Sequence, residues 1–264
     1  FEDGQVGLKQ GIGTGTSGID SLYKATVLQT NKNKYLKIET PNFIEYYQNE
    51  VLTQKEDTNK VNRLFDIAAL YIKNKDREKA IKYFEQALYL SQKIGSDLGQ
   101  IRYYSRMGFM YLNTSPKNRP KTIEMLKSGL LYSQKIKARA YAAFFAEQVS
   151  YYNYEDGNYP EALKYDYVAL KEYEQLDDKR NMSHSYNRIG AKMNDQKNYR
   201  EAIKNHQMAL KLREILNEKN FIGQSFVNLG NVYSKIGQLD SAEVYISKAI
   251  NVYTQLGTKA FGWG

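Results

Sequence analysis

The sequence predicts an all-α array of antiparallel helix pairs, on three observations. First, residues 179–256 write one pattern twice, 40 residues apart. Ile189-Gly190, Asn198-Tyr199-Arg200-Glu201-Ala202 and Ala209-Leu210 return as Leu229-Gly230, Gln238-Leu239-Asp240-Ser241-Ala242 and Ala249-Ile250. Self-similarity at a fixed period marks units that each bury a face against the next. Second, the same register steps back to Ala162 and Ala169. Across a two-residue insertion it reaches Thr122 and Gly129, and then Ala80 and Ala87, so five copies cover residues 61–256. Third, every copy holds two stretches with apolar residues at i, i+3, i+4 and i+7, the spacing of one helix face.

Taken in order, residues 1–18 contain six glycines and read as a flexible linker. Gly13-Thr14-Gly15-Thr16-Ser17-Gly18 matches a dinucleotide-binding fingerprint. No strand precedes it and no strand–helix alternation follows, so chance in a glycine-rich linker is the better account. Residues 19–60 are read as N-terminal helices forming a degenerate capping repeat. A short helix opened by Asp20 or Ser21 would cover 19–33. A second, over 41–54, starts at Pro41 and presents Phe43, Ile44, Tyr47 and Val51. In the first full repeat, Leu64, Ile67, Ala68 and Tyr71 form one stripe. After the turn Asn74-Lys75-Asp76, a second stripe holds Ala80, Ile81, Phe84, Ala87 and Leu88. Short polar linkers such as Gly95-Ser96-Asp97 and Asn217-Glu218-Lys219 force neighbouring helices to run antiparallel. The second repeat carries the insertion in its internal turn, Thr114-Ser115-Pro116-Lys117-Asn118-Arg119-Pro120, where extra residues are readily tolerated.

Small residues recur at fixed positions. Ala68, Gly108, Ser150, Gly190 and Gly230 share one place in the first helix. Ala80, Thr122, Ala162, Ala202 and Ala242 share one place in the second, and Ala87, Gly129, Ala169, Ala209 and Ala249 another. They let helices approach closely, while Tyr71, Tyr111 and Tyr233 fill the wider gap beside them. Residues 239–256 form a last second helix with an apolar face, and 257–264 are read as a tail or the start of a further repeat. An uncovered face there is expected to support self-association.

The pattern Leu229-Gly230-x-x-Tyr233, then Ala242 and Ala249, resembles the tetratricopeptide repeat in a 40-residue, long-helix form. It is similar to repeats in bacterial sensor and regulator proteins and in animal adaptors of the Leu-Gly-Asn type. The resemblance implies a right-handed superhelical solenoid whose first helices line a concave groove, and a protein- or peptide-binding role within a larger regulatory protein. Counted from the small first-helix position, the groove lining would be Asn62, Asp66 and Ala69, then Arg102, Ser105, Arg106 and Phe109. The third repeat would add Phe144, Glu147, Gln148 and Tyr151. The fourth adds His184, Asn187, Arg188 and Asn194, and the fifth Gln224, Asn228, Asn231 and Ser234. Amide side chains both donate and accept, so they can hold a peptide backbone. Arg102, Arg106 and Arg188 would clamp carboxylates. Asn228 and Asn231 match positions at which adaptor-type repeats hold an extended peptide. Asp166 and His206 occupy places where the family packs an aromatic in the second helix. The preferred reading leaves them partly exposed on the convex side; the alternative pairs them and raises the His206 pKa.

Charge is uneven. Residues 60–139 hold 17 Lys and Arg against 6 Asp and Glu, whereas 140–264 hold 15 of each. The preferred reading of this excess is a solvated face of helical repeats; a partner at that end would be an acidic protein or peptide, with a phosphate-tracking nucleic-acid role as the competing reading. The chain has no cysteine, which removes disulfides and thiolate metal sites and fits a reducing or an oxidising compartment. No catalytic motif, metal-ligand cluster, cofactor fingerprint in context or membrane-spanning run is present, so no catalytic residue, cofactor or metal is assigned.

Overall fold

The computed structural model of the protein describes residues 40–113 and 117–257. The linker, the 19–33 helix, the 258–264 tail and part of the inserted turn lie outside the described residues. The described residues from Ile44 onward form one unit, and it carries the array.

Eleven helices run through the described residues, without strands. Helix α1 (Thr40–Thr53) precedes five pairs: α2 (Thr58–Lys73) with α3 (Arg77–Lys93), α4 (Asp97–Asn113) with α5 (Arg119–Lys135), α6 (Arg139–Glu155) with α7 (Tyr159–Gln175), α8 (Lys179–Asp195) with α9 (Tyr199–Ile215), and α10 (Lys219–Lys235) with α11 (Leu239–Gln255). Nearly every helix of the array is 17 residues long, so each unit presents the same face to the next. Helix starts are fixed by side-chain caps where the sequence offers them. Asp57, Asp76, Asn118 and Asp178 each accept a hydrogen bond from a backbone N–H in the first turn that follows.

Helix ends repeat one device. The N–H of Asp76, Ser96, Ala138, Asn158, Asp178, Asn198, Glu218 and Gln238 each donates to the carbonyl five residues back, at 2.8–3.0 Å. This closure needs a left-handed residue just before it. Gly95, Gly157 and Gly237 supply it, but so do Lys75, Lys137, Asp177, Lys197 and Asn217, with φ between 48° and 61°. The short polar linkers are therefore tight turns of one design.

The core runs through the pairs rather than gathering at a centre. Leu64, Ile67, Ala68, Ala80, Phe84 and Ala87 are all buried, as the two stripes of the first repeat require. The small first-helix positions each receive a large side chain from the partner helix. A Cβ on Gly108 would sit 3.4 Å from Leu126, one on Gly190 2.9 Å from His206, and one on Gly230 2.7 Å from Ile246. Burying side chains such as Phe84, Phe145 and Tyr173 stabilises by about 1.5–3 kcal/mol each. Tyr71 and Tyr233 stack on Tyr83 and Tyr245, with centroids 5.5 and 5.4 Å apart, and so bridge the two helices of their repeats.

Candidate functional site on the first-helix face

Successive first helices are tied by hydrogen bonds spaced one repeat apart. The Arg102 guanidinium donates to Asn62 Oδ1 between α4 and α2. Arg188 donates to Glu147 at 2.6 Å, Asn228 to Asn187 at 2.7 Å, and Tyr154 to Asp195 at 2.5 Å. Among the described residues no side-chain hydrogen bond joins α4 to α6, so the ladder has a gap between the second and third repeats.

That gap divides the sequence-derived groove residues into two groups. Asn62, Arg102, Asn187, Arg188 and Asn228 spend polar atoms on the ladder. Arg106 bears on Asp66, whose pKa is raised by burial against the pull of Arg63 and Arg106. Phe109 and Phe144 are half-buried, Gln148 is half-buried, and Tyr151 is 44% exposed. Gln148 and the Tyr151 hydroxyl make no hydrogen bond to another described residue. Gln224 and Asn231 are exposed in the fifth repeat. Asn194 is half-buried, with Oδ1 shielded from solvent and unpartnered.

Two expectations need correction. His184 is not a groove residue: it is 7% exposed and meets the Phe221 ring edge-on at 4.8 Å. It lies near the start of α8, where the start of α10 folds over it. Burial first, then Arg213, Arg188 and Arg180, push its pKa down to about 4. Arg188 is likewise no open clamp. It is held by Glu147, by Ser185 Oγ at 3.0 Å and by Asp166 at 3.5 Å.

Asp166 and His206 also differ from expectation. Both are buried, at 0% and 2% exposure, and they do not pair. Asp166 turns to α8, where Lys192 Nζ donates to it at 2.7 Å beside Arg188. Glu147, Arg188, Asp166 and Lys192 thus form a charge-balanced network between the third and fourth repeats. His206 packs on Gly190 with Nδ1 unpartnered. Its pKa is pushed down to about 4 by burial and by Arg213, the reverse of what a pairing with Asp166 would do.

Arg213 is a further residue that sequence reasoning missed. It is fully buried, donates to Ser225 Oγ at 2.7 Å and the Phe221 carbonyl at 3.0 Å, and leaves Nε and Nη2 unpartnered. Burial pushes its pKa down to about 10. Its repeat-register equivalents are Ser91, Ser133 and Tyr173, all buried, which is the signal that placed it inside. Among the described residues no helix is long and apolar enough to cross a membrane, and no group of three or more acidic or histidine side chains is placed to hold a metal.

Stacked helix pairs of nearly constant length, joined by turns of one design except at the insertion in the second repeat, define a helical-repeat solenoid. Residues 61–94 and 185–255 match family models of the tetratricopeptide repeat. The units between them repeat the same geometry, so these segments are tetratricopeptide repeats within one helical-repeat array. No curated protein sequence matches it. Among solved structures, BtubC (BKLC) from P. vanneervenii is similar over 85% of this chain and 91% of its own, at 20% identity and a TM-score of 0.63. The apo form of RapI is similar over 81% and 59%, at 14% identity and a TM-score of 0.66. A signal transduction ATPase with numerous domains from Pyrococcus horikoshii, which has a tetratricopeptide repeat sensor, matches over 88% and 35%, at 16% identity and a TM-score of 0.63. At these identities the likeness is one of fold.

Proposed function

We propose that the chain binds an extended peptide of a partner protein along its first-helix face, anchored where α4 and α6 lie side by side. The observation that carries this reading is the gap in the ladder. At every other step named above, first helices spend their polar atoms on each other. Between the second and third repeats, Phe109, Phe144, Gln148 and Tyr151 are left with exposed or half-buried surface. Aromatic rings with few rotamers to freeze, beside amides and arginines, make the composition of a binding hot spot. Gln148 offers one acceptor and two donors to a peptide backbone. Arg102, at the edge of this segment, donates through one nitrogen to Asn62, and its exposed guanidinium keeps further N–H donors for an acidic residue of the peptide.

The test is selection of a random-peptide display library on the immobilised protein, followed by titration of the recovered peptides against variants. Tyr151→Ala and Gln148→Ala are expected to weaken binding by about tenfold each. Gln224→Ala, on the same face two repeats away, is expected to change it less than twofold. Equal loss in all three, or in none, removes the anchor from this position.

A second reading rests on α11. Ile250 is 51% exposed, whereas its register equivalents Leu130 and Leu170 are 5% and 6% exposed and Leu88 and Leu210 are half-buried. Val244 and Leu239 add exposed apolar surface on the same helix. Self-association through α11 would cover them, and light scattering across a dilution series of the wild type and Ile250→Lys tests it. A dimer that Ile250→Lys abolishes supports this reading, and a monomer at every concentration refutes it.

A further inference from the structure

At one edge of the first two repeats, the end of α2 and the starts of α3 and α5 carry cations away from the first-helix face. Lys73 and Lys75 leave α2, Arg77 opens α3, and Lys117 and Lys121 flank the start of α5. The four lysines are exposed, and none of the five cations has an ion-pair partner among the described residues. Two acids beside these segments are engaged: Asp76 bridges Lys79 at 3.0 Å and caps α3, and Asp156 takes Arg119 at 2.5 Å. Glu78 and Glu124 remain exposed on α3 and α5.

Tyr111, in the last turn of α4, joins the two turns. The Arg77 guanidinium lies 4.8 Å and the Lys121 ammonium 5.4 Å from its ring centroid. Cations from successive repeats are thus held on one ring. Beyond the Tyr111 contacts and the Arg119–Asp156 pair, this charge pattern disfavours the free chain. Like charges repel, and the first turn of α5 carries Arg119 and Lys121 but no acid, at the positive end of the helix dipole. An anionic partner would turn both terms favourable.

We propose that this edge docks an acidic peptide segment of a partner protein, laid in extended form from Lys73 and Lys75 at the end of α2, past Arg77 and Tyr111, to Lys117 and Lys121 at the start of α5. Neighbouring helices pack about 10 Å apart, so the cations spread over roughly 20 Å. A chain advancing about 3.3 Å per residue spans that with some six residues. A nucleic acid fits less well. Single strands draw much of their affinity from stacking on exposed rings, and Tyr111 is 8% exposed beneath its two cations. A phosphate track would also continue along the edge, whereas the third repeat places Glu155 and Asp156 there. This surface is separate from the first-helix face, and the inference stands or falls independently of the reading given above.

The test is fluorescence anisotropy with a labelled hexaglutamate peptide, hexaglutamine as the neutral control, and an oligothymidylate of equal charge. The full chain is compared with a Lys73→Gln, Lys75→Gln, Lys121→Gln variant, which leaves Arg77 to cover Tyr111. A second variant, Lys171→Gln, Lys211→Gln, Lys235→Gln, removes the same charge elsewhere, and circular dichroism checks that both fold. Binding of hexaglutamate but not hexaglutamine is expected, weakened about tenfold in the first variant and less than twofold in the second. It should also fall as salt rises from about 50 to 200 mM. The proposal is overturned if hexaglutamate does not bind, if both variants lose affinity equally, or if the oligothymidylate binds more tightly through the same lysines.

Discussion

Acidification tests the buried histidines directly. His184 and His206 sit at about 4 in the fold, against an ordinary 6.5. Both are neutral in the folded protein at pH 7, and the unfolded chain takes up their protons first as pH falls. A base with a depressed folded pKa leaves stability intact above 6.5 and removes it progressively between 6.5 and 4. A shift of about 2.5 units corresponds to roughly 3 kcal/mol per histidine once pH is below 4, of which about 2 kcal/mol is already lost at pH 5. Replacements follow the protein's own register. Leu126 stands where His206 does, and Gln224 where His184 does, so His206→Leu with His184→Gln removes the titration while keeping volume. Urea-unfolding free energies measured at pH 7 and pH 5 should fall by about 4 kcal/mol more in the wild type than in the double variant. Other titrating groups, Asp66 among them, act on both proteins and cancel in the difference. Equal pH dependence in the two proteins would refute the assignment of both rings to a dry, positively biased interior.

Four further outcomes follow from packing and charge. Asp166→Ala leaves Lys192, 9% exposed at its side chain, without its 2.7 Å partner. It should cost about 3–5 kcal/mol in thermal or urea unfolding, and a loss below 1 kcal/mol would contradict the network. Gly108→Ala places its Cβ at an ordinary 3.4 Å from Leu126 and improves helix propensity, so it should be neutral or stabilising by up to about 1 kcal/mol. Gly129→Ala would land 2.5 Å from the fully buried Phe145 ring, and its melting temperature should drop by the equivalent of about 1–3 kcal/mol. Arg213→Met removes a buried guanidinium that has two unpartnered N–H groups and no carboxylate on it. The melting temperature should stay level or rise, despite the lost bonds to Ser225 and Phe221, and a fall of more than about 2 kcal/mol would show that those two bonds matter more than the buried charge.

The architecture was legible because it depends on volume at fixed positions. A small residue at 68, 108, 150, 190 and 230 and a second-helix residue at 84, 126, 166, 206 and 246 recur, and the helix pairs follow. What escaped was the content of that second column. Phe84, Leu126 and Ile246 read as core, while Asp166 and His206 read as surface because of their chemistry, although the register alone placed them inside. The groove was harder. Counting along one helix shows which side chains face its open side, but not whether a neighbour one repeat away has already taken them. The complementary pairs Asn62 with Arg102, Glu147 with Arg188, and Asn187 with Asn228 stand 40 or 41 residues apart, one period, and that spacing was the available signal. His184 had no such pair, and only the fold of α10 over α8 shows it covered.

The most direct test of a peptide site between α4 and α6 is nuclear magnetic resonance of the protein with labelled tyrosine, phenylalanine and glutamine side chains, titrated with a display-selected peptide. Signals from Phe109, Phe144, Gln148 and Tyr151 should shift together and saturate at one peptide per chain, while Tyr89 and Tyr167, exposed on the second helices, stay in place. Shifts confined to Tyr89 and Tyr167, or spread evenly over the chain, would contradict a site on the first-helix face.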